Sequence, residues 1–299
     1  MLFLEQIISG LAIGSLYSLL GLGFTMIFAS TGRINFAHGD FMVLGGFLGL
    51  VYLDIFPSFP VAAFVLCPLS IGVISVGVER TMLRPLQEVQ PLKIVISTIG
   101  LSIVMKIVMQ MIWGPDALPY PQFVSEEPVS LFNVRIAPQT LLIVLVALSL
   151  MILLQSFFVF TKPGRALRAL SQDRYAARLM GIKVGQSISL TYFISGILAG
   201  IAGMLLGPIF FVSSSMGTLL GLKSFVAAVI GGLGNVPGTI AAGFFLGVVE
   251  NLSSGFISSA YKNGISLVFL VLVLVLLFRP QGLLSDFSTG LFRPRKLER

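Results

Sequence analysis

From residue 6 to residue 29 the chain carries no charged side chain, and comparable apolar stretches recur along most of its length. Crossing the roughly 30 Å hydrocarbon core of a bilayer takes a helix of about 20 residues. No water inside that core can satisfy a bare N–H or C=O, so a spanning segment must be a helix or part of a closed barrel. The runs here are continuously apolar rather than alternating, which selects the helix. Composition agrees. The chain is 56% hydrophobic and only 10% charged, with a mean hydropathy of +1.00. Soluble domains carry about 25% charged residues. The expected fold is an all-α polytopic membrane protein.

Spans are expected at about 6–29, 35–53, 61–78, 92–113, 139–160 and 188–206, with two more at 237–256 and 265–278. The start, MLFLEQIISG, has no basic n-region or cleavage site, so it is read as the opening of a span. The single cysteine, Cys67, lies in an apolar run and is read as a small core residue. Net charge is +7, but the basic residues sit in a few loops, which is the positive-inside pattern and not a nucleic-acid signature.

That pattern fixes an expected orientation. Arg33, the Arg80/Arg84 loop and the 162–183 segment are basic, whereas the 114–138 insert carries Asp116, Glu126 and Glu127 against Arg135. Basic loops in the cytoplasm put the N-terminus and the 114–138 insert outside. The basic tail, with Arg279, Arg293, Arg295, Lys296 and Arg299, then requires an odd number of crossings after residue 206. The third crossing there must be 216–230, short and interrupted by Lys223. The expectation is about nine spans, with the C-terminus cytoplasmic. The alternative is eight spans with 216–230 re-entrant, which is tolerable only where protein or a water-filled cavity surrounds it. No domain boundary is visible, so residues 1–299 read as one membrane domain with a cytoplasmic loop at 162–185.

The most polar stretch is KPGRALRALSQDRYAARLMG, residues 162–181. It carries Lys162, Arg165, Arg168, Arg174 and Arg178 against Asp173 alone. Asp173 can cap a helix over 174–180 by accepting from its first-turn N–H groups, and Gly181 can end it in the left-handed conformation. Ala176, Ala177, Leu179 and Met180 give that helix a small, apolar contact patch. Reversing direction needs only a few residues, so this loop is longer than turning requires. It reads either as a helix lying on lipid phosphates or as a docking site for a cytoplasmic partner.

Other features are weaker. Gly196, Gly200, Gly203 and Gly207 share one face of the 188–206 span; they read as ordinary close packing or as a mobile interface. Asn35, His38 and Asp40 open the second span; they read as interfacial polar groups or as the lining of a gate. Glu5, Lys106, Lys223 and Glu250 lie near expected span ends and read as snorkelling side chains. The sequence contains no GxxxxGK[ST] phosphate loop, and no cluster of His, Cys and acids has metal-ligand spacing. His38 is the only histidine, so no Ser/His/Asp arrangement exists. No cofactor, metal or catalytic residue is expected.

Several stretches carry a resemblance: GSLYSLLGLGFTMIFASTGRINFAHGDFMVLGG, ERTMLRPL, GRALRALSQDRYAARLMGI, AAVIGGLGNVPGTIAAGFFLGVVE and LLFRPQGLL. The chain resembles the permease subunits of branched-chain amino acid ABC importers, of the LivH type. INFAHG and GRALRA…AARLMGI are fairly specific to that family; the glycine stretches alone are not. The resemblance implies a transport subunit of a bacterial or archaeal cytoplasmic (inner) membrane, not an enzyme. Implied partners are cytoplasmic ATPase subunits, a second related permease and an extracytoplasmic substrate-binding protein. It also implies that Asp173, Ala176, Ala177, Leu179 and Gly181 belong to an ATPase-coupling loop. Tyr175 stands where the family commonly has an acid, and Asp40 where it commonly has Glu. A leucine-like solute needs an apolar path. Related permeases also serve urea and short amides, and a stand-alone facilitator or secondary transporter, or a non-transporting scaffold, are the remaining alternatives.

Overall fold

The computed structural model describes residues 2–256, apart from 87–89, 125–126 and 132–133, together with residues 264 and 268. The chain forms α1 (Leu2–Thr31), α2 (His38–Ile55), α3 (Pro60–Val78, continued by a π-helical turn Glu79–Leu83) and α4 (Pro91–Trp113). A short antiparallel hairpin, β1 (Val129–Leu131) with β2 (Val134–Ile136), folds within the insert. Then come α5 (Pro138–Phe160), α6 (Lys162–Gln172), α7 (Arg174–Leu179), α8 (Val184–Phe210), α9 (Met216–Ile230) and α10 (Val236–Phe256). Helices α3, α4 and α5 each open on a proline, whose fixed φ suits a first turn and whose missing N–H would be unpaired there anyway.

Among the described residues, seven helices are long and apolar enough to cross a membrane: α1, α2, α3, α4, α5, α8 and α10. The expected span at 265–278 and the basic tail lie outside the described residues, apart from residue 268. The helices form layers around α1, whose most apolar window is 89% buried, against 22% for α5. So α1 is the core and α5 presents most of its surface outward. That places Leu145, Ile152 and Leu153 where lipid would meet them.

Helix α10 lies antiparallel against α1. Gly10 approaches Val248, Gly14 approaches Phe244, and Thr25 hydrogen-bonds Thr239 through hydroxyls 2.8 Å apart. The approach requires glycine: a Cβ on Gly14 would fall 2.8 Å from Phe244 Cα and 2.9 Å from the Gly243 carbonyl. Ser18 adds a 3.0 Å bond to the Ile240 carbonyl.

Helix α9 has 15 residues, so it is about 22 Å long, short of a full bilayer core. Its start packs on the first turn of α2, where Gly39 meets the Gly217 carbonyl and Gly221 Cα. Just before it, Val212 pairs with Leu118 of the insert through two backbone hydrogen bonds of 2.9 and 3.0 Å. Just after it, Gly234 sits against Ala29, near the end of α1 that leads to Arg33. At its two ends Val212, Ser214, Gly231 and Gly232 are buried, whereas Phe211, Ser215 and Gly234 are exposed.

Candidate functional site

The 162–181 segment contains two helices where the sequence suggested one. Thr161 caps α6, its hydroxyl accepting from the Gly164 N–H at 3.1 Å, and Leu167 and Leu170 turn inward. Asp173 separates the two helices. Its carboxylate accepts from the N–H groups of Tyr175 (2.7 Å) and Ala176 (3.0 Å), capping α7. Gly181 has φ +80°, the left-handed conformation that ends α7 and turns the chain toward α8.

The face of α7 differs from the sequence reading. Ala177 is buried, packed with Ile27, Leu83, Leu170, Ile188 and Tyr192. It anchors α7 to its own body and offers nothing outward. The outward surface is Tyr175, 72% exposed, Leu179, 71%, and Met180, 83%, with Ala176 beside them. Three large apolar side chains stand out from the most basic end of the molecule.

That end is tied together by ion and hydrogen-bond contacts. Arg174 donates to the Ser30 carbonyl at the end of α1, 2.6 Å away. Burial, and then the nearby Arg33 cation, lower its pKa from the usual arginine value. Glu79 is fully buried and receives Arg84 on both oxygens, at 2.9 and 3.1 Å, and Ser189 at 2.8 Å. Arg84 also reaches the Gly185 carbonyl at 2.9 Å. This cluster joins the end of α3 to the start of α8, one turn past α7.

Asn35, His38 and Asp40 are all buried, but they face different neighbours. Asn35 Oδ1 accepts from the Ala37 N–H at 3.1 Å, closing the turn before α2. The His38 ring packs on Gly23, stacks edge-on to Phe24 and meets Ser195 Oγ at 3.3 Å. Asp40 points away, toward α4 and the first turn of α9. Lys106 Nζ lies 3.9 Å from its Oδ1 and donates to Thr218 at 2.6 Å. Gln110, one turn on, donates to Ser214 at 3.0 Å. Thr98, Ser102, Lys106 and Gln110 thus form a polar stripe at four-residue spacing on α4. That stripe was legible in the sequence, and the reading of Lys106 as a snorkelling chain missed it.

The glycines of α8 meet three different neighbours. Gly196 and Gly200 pack on α3 at Gly72 and Pro68, Gly203 packs on α2 at Met42 and Gly46, and Gly207 lies under the Tyr120 ring of the insert. Lys223 and Glu250 do not snorkel. They pair with each other in the interior, and Tyr17 donates to the other Glu250 oxygen at 2.9 Å. Among the described residues no group of His, Cys, Asp and Glu has the arrangement of a metal site.

Residues 6–277 match the family described as the branched-chain amino acid transport system permease component. The chain is 35% identical over 298 residues to the high-affinity branched-chain amino acid transport system permease protein BraD of Pseudomonas aeruginosa, covering 95% of this chain and 96% of that one. It is 33% identical over 296 residues to the corresponding protein LivH of Salmonella typhimurium, with 95% and 96% covered. LivM, a permease protein of the same system in that organism, is 26% identical over 298 residues, covering 90% of this chain and 68% of that one. With seven helices long and apolar enough to cross a membrane among the described residues, the chain belongs to the branched-chain amino acid transport permease family.

Proposed function

We propose that the chain is the membrane-spanning permease subunit of an ATP-driven importer in a bacterial or archaeal cytoplasmic membrane. It translocates branched-chain or related amino acids delivered by an extracytoplasmic binding protein. Family membership supports the transport role, and the similarity to both LivH and LivM supports pairing with a second, related permease. ATP hydrolysis belongs to separate cytoplasmic ATPase subunits.

The observation that carries the coupling role is the outward face of α7. Tyr175, Leu179 and Met180 are exposed on a helix that is capped by Asp173, ended by Gly181 and anchored by Ala177. Apolar side chains concentrated at a charged end mark a surface that a protein partner covers. In this reading α7 docks on an ATPase, and the Glu79–Arg84–Ser189 cluster carries its movement to α3 and α8. The packing glycines of α8, Gly196, Gly200, Gly203 and Gly207, lie where those helices would slide. His38 and Asn35 hold the start of α2 at the gate.

The same reading takes residues 1–299 as one permease domain with the N-terminus and the 114–138 insert outside. Its cytoplasmic coupling loop is 162–185 and its C-terminus is cytoplasmic. It takes about nine crossings, with α9 as a short one; the alternative is eight, with 216–230 re-entrant.

Affinity purification of the assembled complex tests the docking. Leu179→Glu and Met180→Glu together are expected to abolish ATPase co-purification while the permease keeps its thermal stability. An ATPase retained by that double variant would sink the assignment.

A further inference from the structure

Two acid–base pairs lie within the spans, and they differ in kind. In the Lys223–Glu250 pair both carboxylate oxygens are engaged, by Lys223 and by Tyr17. In the other, Asp40 is buried and its Oδ1 has no hydrogen-bond partner among the described residues. Lys106 Nζ stands 3.9 Å away, beyond the roughly 2.7–2.9 Å of a charge-assisted hydrogen bond. Lys106 spends its bond on Thr218 instead, at 2.6 Å. A buried carboxylate oxygen without a donor is costly. A lysine well inside a span, with its side chain 23% exposed, is costly as well. Ser102, which hydrogen-bonds the Asp40 carboxylate, and the Lys106 cation 3.9 Å away offset these costs only in part, because Oδ1 itself keeps no donor.

The surroundings add a second charge preference. Asp40 abuts the first turn of α9, where a Cβ on Gly217 would fall 3.2 Å from its Oδ1. Ahead of that turn run Ser213, Ser214 and Ser215, the outer two with hydroxyls 3.3 Å apart. A helix N-terminus carries partial positive charge, which favours an anion, although here the Met216 and Thr218 N–H groups already donate to the Ser213 and Ser215 carbonyls at 3.3 and 3.4 Å. Beside Lys106 this terminus favours a carboxylate, next to Asp40, whose Oδ1 has no donor and whose nearest cation stands 3.9 Å away.

We infer that Asp40, Lys106 and the start of α9 hold the head of a zwitterionic α-amino acid, resting on the importer reading above. The substrate ammonium donates to Asp40 Oδ1. Its carboxylate accepts from Lys106 and the α9 terminus, and its apolar side chain lies along the bundle. Ammonium and carboxylate sit on one carbon, so a single ligand relieves both groups at once. The pair discriminates against urea and amides, which carry neither charge.

The test uses Thr218→Cys in the purified full complex, since the native Cys67 is buried. Maleimide labelling at position 218 is followed with millimolar leucine, leucinamide or 4-methylpentanoate. Leucine alone is expected to slow labelling, by about tenfold near saturation, and Asp40→Asn is expected to abolish that protection. No protection by leucine, or equal protection by all three, overturns the site. In proteoliposomes with the binding protein, Asp40→Asn and Lys106→Met are each expected to cut ATP-driven leucine uptake about tenfold with assembly unchanged. The Asp40→Asn/Lys106→Met double variant is expected to be no better. Recovery of uptake in the double variant would mean a mutual ion pair and overturn the proposal. Leucine protection in the Thr218→Cys complex, together with no ATP-driven uptake by the wild-type complex, would leave the site standing and refute the importer reading instead.

Discussion

Lys223 of α9 and Glu250 of α10 form an ion pair that is almost fully enclosed, 5% and 1% exposed. Tyr17 of α1 completes it. Three helices therefore meet at one charge pair. Removing one partner of a buried pair strands the other charge, at a cost of about 3–5 kcal/mol. Lys223→Met is expected to lower the thermal unfolding temperature sharply in detergent. The Lys223→Met/Glu250→Gln double variant is expected to recover most of the loss. A double variant as unstable as the single one would show that the pair does more than neutralise itself.

The α1–α10 seam rests on contact between backbones. Gly14→Leu would drive a side chain into Phe244 Cα and the Gly243 carbonyl, and overpacking of this kind costs about 1–3 kcal/mol. Gly100→Leu is the control, because a Cβ there meets nothing within 4 Å. Thermal stability measured side by side should fall for the first and hold for the second.

Asp173 satisfies two N–H groups at the start of a helix only six residues long. Asp173→Ala should release them at about 1 kcal/mol. Hydrogen exchange at the Tyr175 and Ala176 amides is expected to rise about fivefold, with the amides of α8 unaffected. Unchanged exchange at Tyr175 would mean that Ala177 alone holds α7 in place.

Asn235 follows the short helix α9 and lies near the end of α1 that leads to Arg33. A cysteine at 235 is expected to react with an impermeant maleimide from the cytoplasmic face in inverted vesicles. Reaction from the outer face would overturn the nine-crossing path.

The sequence disclosed what depends on neighbours along the chain. The expected span at 92–113 is found as Pro91–Trp113, because a proline start and a glycine end bracket an unbroken apolar run. Asp173 and Gly181 bound α7 where capping chemistry put them. Helix α6 escaped notice although Thr161 and Pro163 mark its start, because its arginines made the segment look like a solvated loop. The partnership of Lys223 with Glu250 was not readable, since it spans 27 residues and two helices. Nor was the inward turn of Ala177, which depends on residues from α1, α6 and α8 closing around it.

The pairing of Leu118 with Val212 also constrains motion. Two backbone hydrogen bonds strap the 114–138 insert to the joint between α8 and α9. Tyr120, two residues along, is seated over Gly207 and Gly49. Any separation of α8 from α2 at this end of the bundle must lift this ring or tear the strap. The insert therefore works as a clasp that ties the fates of α2, α8 and α9 together.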